Sequence, residues 1–367
     1  MLVRRLRVRD FRTYAAADVR LGPGVTVAHG RNGAGKTNLL EALYFGCTAR
    51  SCRTSNEREV LRFGTQAARV EVSTTDARGD EHELFVGFQP GEEKRIRVDG
   101  APCDRLLDAP GRPLISVFLP ERLELVKGPP ALRRSHLDAL VTGLWPARAQ
   151  TRRQYSAALG QRNALLARLR AGGSRASMGA WDAELARHGI ALRDDRARAV
   201  ATIDERFGVI AAELGLEGDA QLLYRPRSSA ATAEALAAEL AERLDSDIDR
   251  GFTQHGPHRD DLALQRDGRE LRVYGSQGEQ RLGLLALLLA EREALAQERG
   301  APPLLLLDDV MSELDADRRG LLVARVGAVG QCLITTTDLA HVPGGDGAQV
   351  VRLEVTPGEV REEVGVR

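Results

Sequence analysis

Residues 30–37 read Gly-Arg-Asn-Gly-Ala-Gly-Lys-Thr, and few runs of eight residues restrict a fold so tightly. Gly30, Gly35, Lys36 and Thr37 have the spacing of a phosphate-binding loop. The glycines let successive backbone N–H groups turn onto a β-phosphate, the lysine reaches the β and γ oxygens, and the hydroxyl is placed for Mg²⁺. Arg31, Asn32, Gly33 and Ala34 fill the loop and Asn38 follows it, so the expected nucleotide contact runs from Gly30 to Asn38. Residues 25–29 read as a short buried strand, and residues 38–45 as a helix whose N-terminus faces the phosphates. Strand, loop and helix in this order predict a site for ATP or GTP.

The C-terminal third carries the partner elements. Leu304 to Leu307 form an apolar run suited to a strand covered on both faces, and it ends in Asp308 and Asp309. Such a Walker B strand places one carboxylate to hold Mg²⁺ and the next to orient or deprotonate the attacking water. Asp308 takes the metal role together with Thr37, and Asp309 the water role. Upstream, Ser276-Gln277-Gly278-Glu279-Gln280 opens a leucine-rich stretch that reads as a helix from about Gln280 to Glu298. Ser276 and Glu279 have the spacing of a capping box, and Gly278 leaves the helix start open to an approaching anion. Ser312-Glu313-Leu314-Asp315 reads as a second capping box, and Thr335-Thr336-Thr337-Asp338 ends the next strand.

In this order S-x-G-x-Q resembles the signature motif of the ABC ATPase superfamily, and Ser312 to Asp315 resembles its D-loop. By that resemblance Ser276, Gly278, Gln280 and Asp315 join the nucleotide contacts. The superfamily's switch histidine is replaced here by Thr337 and Asp338, and nearby His341 falls in a Pro/Gly-rich loop. The opening strand sets Leu2, Leu6 and Val8 on one face and Arg5, Arg7 and Arg9 on the other, and Asp10-Phe11-Arg12-Thr13-Tyr14 closes it. That opening resembles the heads of RecF-, SMC- and RecN-like proteins. Residues 118–138 and 256–262, and the run D-D-V-M-S-E-L-D, resemble the RecF family in particular. Two departures stand out: the signature reads S-Q-G-E-Q where many relatives have a second Gln, and His136 replaces a usual aromatic.

The resemblance covers nearly the whole chain. It implies an α/β fold, an ABC-type ATPase head with an inserted compact α-helical arm (lobe II). It also implies ATP and Mg²⁺ as cofactors, weak hydrolysis that acts as a switch, and an ATP-dependent homodimer. DNA is the implied ligand, as duplex and as single-strand/duplex junctions, with RecR as partner and RecO and RecA as functional ones. The implied setting is recombinational repair, replication-fork maintenance and the SOS response. Two alternatives remain open: a short-armed SMC-like DNA-tethering ATPase, and a stand-alone ATPase driven by a protein partner.

Charge alone gives no hint of nucleic acid, because 52 basic side chains balance 52 acidic ones. A DNA site must then be a local patch. The candidates are Arg5, Arg7 and Arg9; Lys94, Arg95 and Arg97; Lys127, Arg133 and Arg134; and Arg148, Arg152 and Arg153, each of which could equally be a solvated face. Aromatic residues make up only 4% of the chain, which favours phosphate tracking over base stacking. The four cysteines lack any paired spacing, so reduced thiols and a cytoplasmic location are expected. The arginine-rich N-terminus does not read as a signal peptide, and no apolar run approaches the ~20 residues of a membrane span.

P-loop and Walker B strand lie at opposite ends of the sequence yet must meet in one sheet. The expected organisation is a head from residues 1–119, an inserted arm from 120–250, and the rest of the head, with signature, Walker B and D-loop, from 251–367. Within the arm, Ala/Leu/Arg-rich segments read as two or three helices, broken at Gly172-Gly173-Ser174 and near Gly215 to Gly218. His255, His258, Asp260 and Asp261 also permit a metal-cluster reading.

Overall fold

The computed structural model describes residues 1–106, 109 and 111–363. The chain forms two units, one of Met1–Arg122, Glu213–Gly215 and Leu295–Arg367, the other of Leu123–Ala212 and Leu216–Ala294.

Among the described residues the first unit contains two six-stranded sheets. In the mixed sheet the order is Glu359–Glu363, Val351–Thr356, Val25–His29, Cys332–Thr336, Leu304–Asp308 and Ile115–Phe118, with every neighbouring pair parallel except the first. Strands Val25–His29 and Leu304–Asp308 match the expected phosphate-loop and Walker B strands. They are not neighbours, because Cys332–Thr336 lies between them. The second sheet is antiparallel, in the order Tyr14–Arg20, Leu2–Phe11, Ala68–Thr75, Glu81–Phe88, Arg95–Val98 and Ala101–Pro102. Helix Lys36–Thr48 buries Leu39, Leu40, Leu43 and Phe45 in one core with Val70, Val72 and Val86 of the antiparallel sheet and Leu306 and Leu333 of the mixed one. The helix that begins at the phosphate loop is thereby fixed by side chains from both sheets.

Strict alternation fails at one point in the first strand. A bulge between Val3 and Arg5 shifts the register, so Val3 is fully buried with Leu6 and Val8, and Leu2 is only half-buried.

The second unit has helices Pro130–Leu144, Ala149–Arg170, Met178–Glu213 (up to Ala212), Ala233–Glu242 and Leu244–Arg250. The glycine breaks fall where expected, after Arg170 and after Glu213. Two or three helices is nevertheless too simple. Ala220–Arg225 is a strand in a three-stranded antiparallel sheet with Asp261–Arg266 and Arg269–Glu270. Ala220 and Leu222 are buried and alternate with exposed Gln221 and Leu223, a period-2 signal too short to stand out beside long helices. The pairing also moves the expected boundary at residue 250. Asp261–Arg266 is zipped to Ala220–Arg225 along its whole length, and Arg133 grips Asp261 through both carboxylate oxygens at 2.7 and 2.9 Å. Residues 251–294, signature included, therefore belong to the unit that holds the arm helices.

Candidate nucleotide site

Gly30 and Gly35 have φ of 152° and 113°. A Cβ on Gly30 would sit 2.2 Å from Val355 O, and one on Gly35 would sit 2.9 Å from the hydroxyl oxygens of Thr13 and Tyr14. Backbone conformation and space both demand glycine. The loop is braced from behind by the run Arg12-Thr13-Tyr14. Tyr14 donates its phenol to Gly35 O at 2.9 Å, and Asn38 Nδ2 donates to Thr13 Oγ1 at 3.1 Å. Arg12 donates Nε and Nη2 to the fully buried Glu41, both at 2.8 Å. Burial raises the Tyr14 pKa, so the phenol stays a donor. The opening motif, legible in sequence only as a family mark, thus holds the phosphate loop in shape.

Lys36 Nζ donates to Gly30 O at 2.7 Å and Arg31 O at 3.0 Å, which keeps the ammonium over the loop. Its pKa is lowered by burial, against the opposing pull of Asp309 and Asp308. Thr37 Oγ1 lies 3.0 and 2.9 Å from the two carboxylate oxygens of Asp308. Burial raises the Asp308 pKa, and hydrogen bonds from Thr335 and Thr37 oppose that rise. A hydroxyl and a carboxylate converging beside a phosphate loop form a hard-oxygen donor set that fits Mg²⁺. Asp309 has φ of 48°, an uncommon conformation of the kind that functional sites retain. Among the described residues its buried Oδ1 has no hydrogen-bond partner, which leaves an acceptor free for a water.

Thr335 completes the group, and sequence reasoning missed its role. Cys332–Thr336 lies between the other two strands, and its register sets Thr335 opposite both Asp308 and Ala28. Its fully buried hydroxyl donates to Asp308 Oδ1 at 2.6 Å and accepts from the Asp309 N–H at 3.0 Å. One side chain holds the Asp308 carboxylate and the Asp309 backbone together. Thr336 is buried and Asp338 caps the short turn Leu339–His341 through Ala340 N at 2.9 Å.

In the second unit the expected capping box is present. Glu279 accepts from the Ser276 N–H at 2.7 Å, and Ser276 Oγ accepts from the Glu279 N–H at 3.3 Å. Helix Gln277–Arg299 starts three residues earlier than the apolar pattern suggests. Ser276 and Gly278 are exposed. Gln280 spends its amide Nε2 on Leu271 O and Gly275 O, both at 3.1 Å, and so pins the preceding turn. The second expected capping box does not form. Asp315, and not Ser312, caps helix Ala316–Ala328, accepting from the Arg318 N–H at 2.9 Å, and Ser312 donates to Asp309 O at 2.8 Å. Asp315 has the stronger acceptor and stands directly before the helix.

Several candidate DNA cations are structural. Arg133 is buried against Asp261, Val126 O and Gly128 O, and Arg134 donates to Asp260 O. Arg152 pairs with Asp138 at 3.0 Å and Arg148 with Asp195 at 3.6 Å. Lys94 is held by Glu57 and Ala49 O. The metal-cluster reading of residues 255–261 fails, since no group of three or more His, Cys, Asp or Glu suited to a metal occurs among the described residues. His258 is engaged through Nδ1 with the Tyr155 hydroxyl at 2.7 Å and through Nε2 with Thr253 O at 2.9 Å. Asp261 is taken by Arg133, and Asp260 by Tyr224 and the Arg227 N–H. Among the described residues no helix is long and apolar enough to cross a membrane.

The family model for the RecF/RecN/SMC N-terminal domain matches residues 2–356. A protein of Herpetosiphon aurantiacus named DNA replication and repair protein RecF is 37% identical over 98% of this chain and 99% of its own length. Its namesake in an Anaeromyxobacter species is 39% identical over 97% of each chain. A solved structure described as the recombination mediator RecF with ATP in the RecFOR pathway superposes with a TM-score of 0.87, at 28% identity, over 99% of this chain and 98% of that one. An SMC head bound to the C-terminal winged-helix domain of ScpA shares the fold at 15% identity and a TM-score of 0.62. With an ABC-type phosphate loop, Walker B pair and signature helix in place, matches of this extent make the chain a member of the RecF family.

Proposed function

We propose that this protein is an ATP-dependent DNA-binding protein of recombinational repair and replication-fork maintenance, in which ATP joins two copies. The observation that carries the reading is the convergence of Lys36, Thr37, Asp308, Asp309 and Thr335 around one phosphate loop. Residues Gly30 to Asn38 bind ATP, with Lys36 on its terminal phosphates. Thr37 and Asp308 hold Mg²⁺, which when bound neutralises charge on the phosphates. Asp309 orients the attacking water through its free oxygen. Ser276 and Gly278, exposed at a helix N-terminus, contact the γ-phosphate held by a second copy, with Gln280 shaping that contact, and Asp315 is a further nucleotide contact.

The dimer closed over duplex DNA or a single-strand/duplex junction is the binding state, and slow hydrolysis releases it. The reading is supported by the relatives' names, which speak of DNA replication and repair, and by the RecFOR pathway in the name of the ATP-bound structure. RecR and RecO are then the partners, and RecA loading with SOS induction the outcome. Fluorescent-ATP binding and DNA binding measured in parallel on the wild type and Lys36→Met test the reading. Tight nucleotide binding lost in the variant, together with ATP-dependent DNA binding, supports it. DNA affinity that is indifferent to nucleotide contradicts it.

A further inference from the structure

The antiparallel sheet brings together cations that are far apart in the sequence. Directly opposed residues along one row are Ala16, Arg9, Arg69, Gly87 and Arg95. Residues paired in this way point to the same face, and Arg9, Arg69 and Arg95 are all exposed. The next row is balanced: Asp18, Arg7, Glu71, Phe85 and Arg97 include two acids and two bases, and Arg7 pairs with Glu71 at 2.9 Å. The first row contains no carboxylate. Among the described residues neither Arg9 nor Arg69 has an ion-pair partner, and Arg95 has only the exposed Glu92 at 3.1 Å. Like charges directly opposed across strands destabilise a sheet, so the Arg9–Arg69 pair carries a cost that folding does not explain.

We infer that this row is a binding stripe for the phosphate backbone of a nucleic acid. Strands about 4.8 Å apart make the stripe roughly 15 Å long, and a duplex offers one negative charge per ~1.7 Å of its axis. Open clefts of 420 and 380 Å³ adjoin the Arg9–Arg69 pair, and the acids that line them, Asp18, Glu71, Glu359 and Asp10, are each paired with another arginine. Interfaces with proteins bury a largely apolar centre, whereas every long side chain of this row is a cation. At one end of the stripe the loop before Arg69 is tied to the first strand by Arg62 N to Asp10 O at 3.0 Å and Arg12 N to Val60 O at 2.7 Å. That loop holds Phe63 fully exposed, placed to stack on an unpaired base where a duplex ends.

The inference rests on the DNA-binding reading above and names its surface. The test is fluorescence anisotropy of a labelled duplex with a single-strand extension, with ATP present, from 50 to 200 mM NaCl. Arg9→Ala and Arg69→Ala should each reduce the slope of log affinity against log salt by about 1. The double variant should lose more than tenfold in affinity at 50 mM, with ATP binding unchanged. Phe63→Ala should keep the salt slope and reduce the preference for the junction over blunt duplex at least threefold. A wild-type slope in the double variant overturns the stripe, and an unchanged junction preference in Phe63→Ala overturns the stacking. Competition by polyglutamate equal to that by duplex, charge for charge, would make this a site for an acidic protein. A wild type that binds no DNA under any nucleotide would overturn the DNA reading itself, a result distinct from binding that ignores the arginines.

Discussion

Thr335→Val removes one oxygen atom at nearly constant volume from the centre of the site. The hydroxyl donates to Asp308 at 2.6 Å and accepts from the Asp309 N–H at 3.0 Å. Losing a buried hydrogen bond to a charged group costs about 1.5–3 kcal/mol, and the partly buried bond to the Asp309 N–H adds roughly 1. Asp308 keeps Thr37 as a donor, so a total of about 2–4 kcal/mol is expected. For a domain of this size that lowers the melting temperature by roughly 5–10 °C. Asp308 also loses a donor that opposes its burial, so its pKa rises further and the acid limb of ATP hydrolysis moves to higher pH. Thr335→Ser retains the hydroxyl and should restore the wild-type pH profile. The assays are thermal unfolding without nucleotide and steady-state hydrolysis against pH. An unchanged melting temperature together with an unchanged acid limb in Thr335→Val would mean that Thr335 does not hold Asp308 in place.

Four further outcomes are expected. The His258 pKa is depressed from 6.5 to about 4, chiefly by burial, so the unfolded chain binds that proton first and stability falls as pH drops through this window, by on the order of 3 kcal/mol. Melting curves from pH 7 to 4 should show the fall, and His258→Asn should flatten it. Arg133→Ala strands Asp261 and should cost about 3–4 kcal/mol in denaturant unfolding, while the salt dependence of DNA binding stays as in the wild type. Tyr14→Phe removes the brace on Gly35 O and should cost about 1 kcal/mol, read as several-fold weaker ATP binding. Lys36→Met should abolish nucleotide binding and leave the melting temperature of the nucleotide-free protein within a few degrees of the wild type.

What the sequence disclosed followed from local constraint. Gly30 to Thr37 and Leu304 to Asp309 each carry their chemistry in contiguous residues whose spacing leaves few alternatives, and both strands coincide with their apolar runs, with the site residues at the ends. Thr335 was invisible because its role depends on which strand lies between two others, a property of sheet order. The same holds for Arg69, which joins Arg9 and Arg95 only through the ladder. Runs of arginine misled in the opposite direction. Arg133 and Arg134 stand in a basic cluster that resembles a nucleic-acid patch, yet one is buried and both bond to the segment at Asp260 and Asp261. The strand Ala220–Arg225 was missed between long helices, and with it the pairing that carries residues 251–294 into the arm's unit.

In the proposed function ATP joins two copies through Ser276. The most direct test is solution mass by light scattering with MgATP, MgADP or no nucleotide, on the wild type, Lys36→Met and Ser276→Arg. A mass that doubles with MgATP in the wild type alone is expected, with Ser276→Arg still binding ATP as a monomer. Full ATP-dependent dimerisation by Ser276→Arg, or a wild type that remains monomeric under every condition, would contradict it.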